Sequence, residues 1–463
     1  MVNAHTIGEL KRAGYTPKTV KQELRDNLIA RLRSGQPIFP GIIGYEETVL
    51  PQIENAILSG QDIVFLGERG QAKTRMARLL VELLDPEVPA LAGCETNDDP
   101  FAPISAAGRA LLAEKGEAAP IVWIPRDRRY GEKLATPDIT IADLIGEVDP
   151  IKVAEGRYLA DELTIHYGLL PRTHRGIFVL NELPDLAERI QVGLLNIMEE
   201  RDVQIRGYKV RLPIDVYVVA SANPEDYTNR GRIITPLKDR FGSQIRTHYP
   251  RRLADEIAIM EAERTAFPAD GVRMTTPEYM RQVVAELTHL ARKATEISQR
   301  SGVSVRVSIC NYENLASSAL KRAIRLGEAD AAPRVSDLGA LVASTAGKIE
   351  LETLGDTSEE KVLGKLVQRA VLNVFNRSLT PSELDPVVAA FQGGVSVQVS
   401  DTMPAAEYAR HAEKMPALRA AAHKLGADGP SGLASAVEFV LEGLHLSKKL
   451  NKDSQPGQSR YRS

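Results

Sequence analysis

The chain has few cysteines and no long apolar run. Cys94 and Cys310 lie far apart, and neither has a second thiol at metal-ligand spacing. They therefore predict neither a disulfide framework nor a thiolate metal site. No apolar run approaches the roughly 18 residues that span a bilayer, and the polar stretch from Met1 to Arg12 lacks the apolar core of a signal peptide. We therefore expect a cytoplasmic protein without a membrane span.

The chain also lacks a dominant charge. It has 58 Lys and Arg residues against 61 Asp and Glu residues, so its formal net charge is -3. A nearly balanced charge gives no overall attraction to nucleic acid or to anionic membranes. We expect no nucleic-acid partner, and any binding of a polyanion must be local.

The pattern of apolar residues predicts several domains in the 463 residues. Residues 1–34 have the spacing of short amphipathic helices, residues 35–252 alternate as in an α/β domain with a mostly parallel sheet, and residues 253–380 are helical. Residues 381–447 predict a further, mostly helical unit, and residues 448–463 a flexible basic tail. The predicted strands cover residues 63–66, 121–124, 177–180, 216–220 and 244–248.

The strongest local motif is a phosphate-binding loop between a predicted strand and a predicted helix. In such a P-loop, backbone N–H groups surround the phosphates, a Lys adds a positive charge, and a Ser or Thr hydroxyl ligates Mg²⁺. Lys73 and Thr74 fit these roles, whereas Ala72 stands where the pattern requires Gly. The predicted loop consists of Gly67, Glu68, Arg69, Gly70, Gln71, Ala72, Lys73 and Thr74.

A second motif is the acidic end of the predicted strand at residues 177–180. Glu182 follows the strand and is the candidate catalytic base, because a carboxylate at this point can orient the attacking water. Asn181 stands where a Walker B strand has Asp. An amide oxygen can accept from a Mg²⁺-bound water but brings no negative charge, so we expect weaker Mg²⁺ binding or slow hydrolysis.

Further segments resemble the magnesium-chelatase motor subunits and the MoxR proteins. Residues 167–176 (YGLLPRTHRG) are similar to the "GLL-x-R-x-HRG" lead-in of that clade, and residues 191–210 are similar to its helix and following β-hairpin. Residues 221–226 (SANPED) resemble the "NPE" segment, and residues 235–242 (TPLKDRFG) resemble "LLDRF". Weaker similarities cover residues 43–46, 144–158 and 301–306.

The resemblance implies an AAA+ ATPase: a P-loop αβα sandwich with a parallel sheet, followed by an α-helical lid. It implies ATP and Mg²⁺ as cofactors, with Thr74 and Asn181 on the metal side. It also assigns Ile43 and Gly44 to the neighbourhood of adenine. Asn223 would contact the γ-phosphate or the attacking water, Arg240 would reach into a neighbouring subunit's site, and Arg306 would approach the γ-phosphate from the lid.

In this clade the motor commonly forms a hexameric ring and acts on a partner that bears a von Willebrand factor A domain. The resemblance therefore implies a chaperone-like motor for remodelling, maturation or metal insertion. Three alternatives stay open: a genuine magnesium-chelatase motor subunit, a nucleotide-binding scaffold with little hydrolysis because of Asn181, and a DNA-remodelling motor. The last depends on a basic hairpin with Arg206, Lys209 and Arg211, which is more often a solvated surface.

Overall fold

A computed structural model describes residues 4–148, 164–200, 202–204, 211–223, 231–266, 271–298, 302–352, 358–455 and 457–463. The chain divides into two compact units, Met1–His248 and Tyr249–Ser463. Among the described residues, no helix combines the length and the apolar character needed to cross a membrane.

The first unit contains a five-stranded sheet in which neighbouring strands pair in parallel. Its order from edge to edge is Ser243–Arg246, Ile63–Leu66, Val216–Ala222, Gly176–Asn181 and Tyr130–Leu134. The two strands of residues 176–181 and 216–222 are buried along their whole length, as expected where helices cover both faces of a parallel sheet. Alternate residues accordingly enter two separate cores, Phe178 on one face and Ile177 and Val179 on the other. This is the predicted αβα arrangement.

One predicted strand was assigned wrongly to the parallel sheet. Ile121–Pro125 pairs antiparallel with Glu87–Leu91 outside it. The remaining place is taken by the edge strand Tyr130–Leu134, in which Gly131 is buried and the other residues are partly or fully exposed. Its polar sequence, with Glu132 and Lys133, gives no apolar run, and the sequence analysis missed it for that reason.

The helices of the first unit lie between these strands and before them. Two of them, Ile7–Arg12 and Val20–Ser34, form the predicted N-terminal helical segment, and each is capped by a threonine side chain, Thr6 or Thr19. The others are Leu50–Leu58, Lys73–Leu79, Ala106–Lys115, Ile141–Leu144, Leu169–Arg172, Glu188–Glu200 and Thr235–Arg240. Short antiparallel pairs join Gly146–Val148 to Ile165–Tyr167 and Asp202–Gln204 to Arg211–Pro213. Residues 205–210, which include part of the predicted basic hairpin, lie outside the described residues.

The second unit is mostly helical and has a single large apolar core. Its helices are Leu253–Glu263, Glu278–Ala291, Val305–Leu326, Leu341–Thr345, Glu359–Ser378, Pro381–Gln392, Ala405–Lys414, Pro416–Lys424 and Gly429–Leu446. A short parallel strand pair joins Arg273–Met274 to Asp330–Ala331.

The predicted lid and the predicted C-terminal unit share this core. Phe439 stacks on Tyr279 with ring centroids 4.5 Å apart and lies edge-on to Phe375 at 6.0 Å. Gly443 packs so tightly against Phe375 that any side chain there would collide with its ring. We expected residues 253–380 and 381–447 to be separate domains, whereas the structure places both in one compact unit.

The prediction of a flexible tail is also wrong. Residues 448–463 contain two strands, Asn451–Gln455 and Gln458–Arg462, which form a three-stranded antiparallel sheet with Val397–Ser400. Tyr461 lies in the core, and its hydroxyl donates to Glu442. In the described part of the tail, Leu450 and Tyr461 are buried among exposed or partly exposed, mostly polar residues, a pattern too sparse to predict a strand from the sequence.

Candidate nucleotide-binding site

The candidate site lies at the carboxyl edge of three neighbouring parallel strands. The P-loop follows Ile63–Leu66, Asn223 follows Val216–Ala222, and Glu182 follows Gly176–Asn181. Parallel strands bring these ends to one side of the sheet, where ligands bind in open α/β folds. The sheet therefore gathers most of the residues that the motifs predicted, although they come from distant parts of the sequence.

The start of the P-loop packs against Thr247, which follows the edge strand Ser243–Arg246. A side chain at Gly67 would collide with Thr247 Oγ1 and with Gln71 Oε1. These two atoms are hydrogen-bonded, with the Thr247 hydroxyl donating to the Gln71 amide oxygen over 2.6 Å. Gln71 is buried, so its side chain holds the loop in place while its backbone remains in the predicted phosphate-binding loop.

Ala72 adopts a backbone conformation that favours glycine. It has φ 56° and ψ 15°, in the left-handed region, and directly precedes the helix Lys73–Leu79. This explains why the P-loop pattern places Gly here, since a β-carbon in this region costs roughly 1–2 kcal/mol. Gly70, two residues earlier, also has a positive φ of 74°. The loop keeps its P-loop conformation at the cost of local strain at Ala72.

Lys73 is buried at the start of the helix and is held by three oxygens. Its Nζ donates to the carbonyl of Gly67, to the carbonyl of Glu68 over 2.8 Å and to Asn223 Oδ1 over 2.6 Å. The lysine therefore links the P-loop to the end of the neighbouring strand. Its ammonium lies inside the loop, where a phosphate would bind.

Asn223 also contacts the candidate catalytic base. Its Nδ2 donates to Glu182 Oε2 over 2.6 Å, while Ser221 Oγ accepts from the Glu182 backbone N–H over 3.3 Å. Glu182 has φ 56° and ψ 47°, a left-handed conformation that is unusual for a glutamate. Strained backbone of this kind is concentrated at functional sites. The carboxylate is thus held beside the P-loop lysine by one bridging asparagine.

The two candidate metal ligands, Thr74 and Asn181, are neighbours in the structure. Thr74 Oγ1 lies 3.4 Å from Asn181 Oδ1, which also accepts from Ser221 Oγ over 3.2 Å. On the other side, Asn181 Nδ2 donates to Glu132 Oε1 over 2.7 Å. A hydroxyl and an amide oxygen at this spacing are suitable oxygen ligands for Mg²⁺ or for the water it carries.

Glu132 was missed by the sequence analysis together with its strand. Burial acts to raise the pKa of its carboxyl, but hydrogen bonds from Arg78, Tyr130 and Asn181 outweigh it, so the net pKa is lowered. The group is therefore a carboxylate at neutral pH. The one signal in the sequence is Glu132 at the centre of a short polar segment, which does not distinguish it from a surface residue.

The segment predicted to lie beside adenine is anchored to the P-loop by Tyr45. Its hydroxyl lies 3.0 Å from the Gln71 carbonyl oxygen and 2.7 Å from that of His248. Ile43 is partly buried, and Gly44 has a positive φ of 81° that permits the turn. Ile43 and Gly44 therefore directly precede Tyr45, the residue whose side chain contacts the loop.

Several predicted site residues keep partly or fully exposed side chains, among them Glu68, Arg69, Arg240 and Arg306. The side chain of Glu68 is half-buried and Arg69 is exposed. Arg240 is 39% exposed and pairs with Glu199 of the helix Glu188–Glu200. Arg306 is exposed in the first turn of Val305–Leu326, in the other unit. Residues 224–230, with the rest of the "NPE" segment, and residues 149–163 lie outside the described residues.

The "HRG" lead-in has a structural role in the described part of the chain. Burial, together with the charge of Arg175, lowers the pKa of His174 to about 3, so the ring is neutral. Its Nδ1 accepts the backbone N–H of Asp215 over 3.0 Å. The buried Arg175 donates to the Pro89 carbonyl over 2.7 Å and lies 3.5 Å from Asp99. The motif ties the start of the strand Gly176–Asn181 to its surroundings.

Comparison with known proteins gives matches to two groups, a magnesium-chelatase subunit and sigma-54-related proteins. A family model described as "Sigma-54 interaction domain" matches residues 155–240. The magnesium-chelatase subunit ChlI of Euglena gracilis is 28% identical over 227 residues, which cover 46% of this chain and 60% of the relative. The sigma54-dependent transcriptional activator SfnR of Pseudomonas putida is 30% identical over 117 residues, 21% of this chain and 32% of that protein. The chain thus spans less than two thirds of either relative.

Solved structures also match, at lower sequence identity. A chain from a complex between the BchI and BchD subunits of magnesium chelatase is 21% identical, covers 70% of this chain and 99% of its own length, and has a TM-score of 0.36. NtrX from Brucella abortus is 17% identical, covers 75% of this chain and 66% of its own, and has a TM-score of 0.41. Because these TM-scores lie below 0.5, the family is inferred from the sequence match and from the order of the motifs. These sequence matches support an AAA+ ATPase of the magnesium-chelatase clade.

Proposed function

We propose that this chain binds ATP with Mg²⁺ at the P-loop and hydrolyses it as a member of a ring. The observation that supports this most strongly is the hydrogen-bonded chain from Lys73 through Asn223 to Glu182 at the carboxyl edge of the sheet. The backbone of residues 67–74 would surround the phosphates, and Lys73 would neutralise their charge. Thr74 and Asn181 would hold Mg²⁺, which supplies charge neutralisation on the phosphates when bound.

In this proposal Glu182 orients and deprotonates the attacking water. Asn223, which already holds Glu182 Oε2, would keep the carboxylate aimed at that water. Arg240 would act on a neighbouring subunit, because a positive charge offered in trans stabilises phosphoryl transfer by about 10³ to 10⁵ in rate in well-studied cases. Within one chain Arg240 pairs with Glu199 near the surface, so a neighbour's phosphate would have to displace that exposed ion pair.

We further propose that the ring, most simply a hexamer, works on a partner with a von Willebrand factor A domain. The ATPase cycle would drive remodelling, maturation or metal insertion by way of that partner. The similarity to a magnesium-chelatase subunit supports this, although it covers 46% of the chain. Purification of the tagged protein from its native host, with and without ATP, tests the proposal. Recovery of no such partner in either state would remove this part of it.

A second candidate is a nucleotide-binding scaffold with little hydrolysis. Asn181 favours it, since the amide brings no negative charge to the metal. The two candidates differ in turnover and agree in binding, so both quantities must be measured. The alternative that this chain is a genuine magnesium-chelatase motor subunit is tested separately, by adding porphyrin and the other chelatase subunits to the purified protein.

The deciding experiment measures the steady-state ATPase rate per subunit against protein concentration, with Arg240→Ala beside the wild type. An active ring predicts a rate that rises with concentration and falls about 10³-fold or more in the variant. The matched control is Arg325→Ala, which removes an exposed arginine from the helix Val305–Leu326 in the other unit. Binding of a fluorescent ATP analogue without turnover at any concentration would favour the scaffold.

A further inference from the structure

The amide of Asn181 is clamped between two strands and the P-loop helix. Its oxygen faces Thr74 Oγ1 at 3.4 Å and Ser221 Oγ at 3.2 Å. Its nitrogen faces Glu132 Oε1 at 2.7 Å, on the edge strand Tyr130–Leu134. The amide oxygen therefore faces two hydroxyl groups, and the amide nitrogen faces a carboxylate.

Glu132 is itself held from two further sides. Arg78, on the helix that follows the P-loop, donates from Nε over 2.8 Å and from Nη2 over 3.0 Å, one bond to each carboxylate oxygen. The Tyr130 hydroxyl donates over 3.0 Å. A bidentate arginine fixes the plane of a carboxylate, and a carboxylate can only accept hydrogen bonds. Asn181 must therefore present its N–H group to Glu132, which leaves its oxygen towards Thr74.

We propose that Glu132 is a positioning residue that orients the Asn181 amide oxygen towards the Mg²⁺ site. The proposal rests on the proposed function, because it assumes that Mg²⁺–nucleotide binds beside Thr74. It explains Asn181 as the match to Glu132: an aspartate there would place a second carboxylate about where the amide nitrogen now lies 2.7 Å from Glu132. Like charges at such a distance repel strongly when one position is buried, as Asn181 is, and the other is partly buried, as Glu132 is.

The test is a double-mutant cycle on the protein without nucleotide. The variants are Asn181→Asp, Glu132→Gln and the double variant, in which the carboxylate and the amide exchange strands. We expect Asn181→Asp to lower the midpoint of thermal unfolding. The double variant should recover most of the loss, since the introduced glutamine amide can donate to the introduced carboxylate. The proposed pairing would be wrong if the double variant lost as much thermal stability as Asn181→Asp. It would also be wrong if Asn181→Asp were more stable than the wild type.

The second measurement is the Mg²⁺ dependence of binding of a fluorescent ATP analogue. Loss of a residue that orients a metal ligand typically weakens metal affinity about 10–100-fold, so we expect a shift of that size in the Mg²⁺ midpoint for Glu132→Gln. The double variant should return towards the wild type. Glu82→Gln, which removes another carboxylate paired with an arginine, is the matched control and should leave the midpoint unchanged.

The two measurements separate the inference from the proposed function. If the wild type binds the analogue without any dependence on Mg²⁺, the proposed metal site fails, and the thermal cycle still decides whether Glu132 and Asn181 are coupled. If the wild type depends on Mg²⁺ and Glu132→Gln does not change that dependence, the positioning role of Glu132 is wrong and the proposed function stands.

Discussion

Asn223 lies 2.6 Å from Glu182, to which its amide nitrogen donates, and the oxygen of the same amide accepts from Lys73 over 2.6 Å. One side chain thus connects the P-loop lysine to the candidate base. The three residues follow three different strands, which are neighbours in the parallel sheet. Two hydrogen bonds therefore connect Lys73 to Glu182.

Replacing Glu182 by Gln should separate binding from hydrolysis. The amide of Gln keeps a hydrogen-bond acceptor for Asn223 but cannot take a proton from water, so the rate should fall about 10² to 10⁴-fold. Affinity for a fluorescent ATP analogue should change little, because Lys73 and the loop are untouched. The two quantities are measured on the same preparation. A variant that hydrolyses at the wild-type rate would exclude Glu182 as the base.

Replacing Ala72 by Gly should stabilise the first unit. Relief of the left-handed conformation at φ 56° is worth roughly 1–2 kcal/mol, against a smaller loss from the greater freedom of Gly in the unfolded chain. The matched control is Ala110→Gly in the exposed face of the helix Ala106–Lys115, where the same substitution should destabilise by roughly 0.5–1 kcal/mol. Urea unfolding of the three proteins checks both signs. Changes of the same sign at both positions would contradict the strain at Ala72.

The sequence predicted those parts of the site that are encoded in short contiguous motifs. The order strand, loop and helix around Lys73 and the apolar strand before Asn181 are local patterns, and the structure has both. Glu132 could not be predicted as a site residue, because its strand is polar and its partner Asn181 lies 49 positions away in the sequence. Contacts across a sheet depend on strand order, which no single segment of the sequence specifies.

The remaining differences have the same physical origin. The strand of residues 121–125 has the apolar composition of a sheet core, yet it pairs with Glu87–Leu91 outside the main sheet. Composition predicts burial but not the partner strand. For Arg240 and Arg306 the sequence gives only a place on a helix, and their proposed contacts depend on a neighbouring subunit and on the other unit.

The buried pair of Glu23 and Arg129 should hold the helix Val20–Ser34 to the start of the edge strand Tyr130–Leu134. Both side chains are at most 4% exposed, and Arg129 donates from both terminal nitrogens to the carboxylate. Glu23→Gln leaves a buried guanidinium without its counter-charge, so we expect a loss of about 3–5 kcal/mol in the free energy of unfolding.

The control for this prediction lies on the same helix, Val20–Ser34. Asp26 pairs with Lys18 over 2.7 Å, but the two side chains are 38% and 45% exposed. Asp26→Asn should therefore cost less than about 1 kcal/mol. Denaturant unfolding of both variants measures the difference. Equal effects would mean that Arg129 finds another partner or water when Glu23 is changed.

The ordered tail should be needed for the stability of the second unit. Tyr461 is 2% exposed, and its hydroxyl donates to Glu442, which Lys452 also contacts over 2.7 Å. Tyr461→Ala removes a buried ring and leaves a cavity, so we expect a loss of about 3–5 kcal/mol, the range found for large aromatic side chains in cores.

Two further variants separate the ring from its hydroxyl and from the strand. Tyr461→Phe keeps the ring but removes one donor to the buried Glu442, which should cost about 1–3 kcal/mol. Arg460→Ala, on the exposed face of the same strand, should change the unfolding midpoint little. A truncation that removes residues 448–463 should destabilise at least as much as Tyr461→Ala, since it takes away Tyr461, Leu450 and Lys452 together. If the truncated protein unfolds like the wild type, the tail adds no stability, and the prediction of a flexible tail from the sequence alone is supported instead.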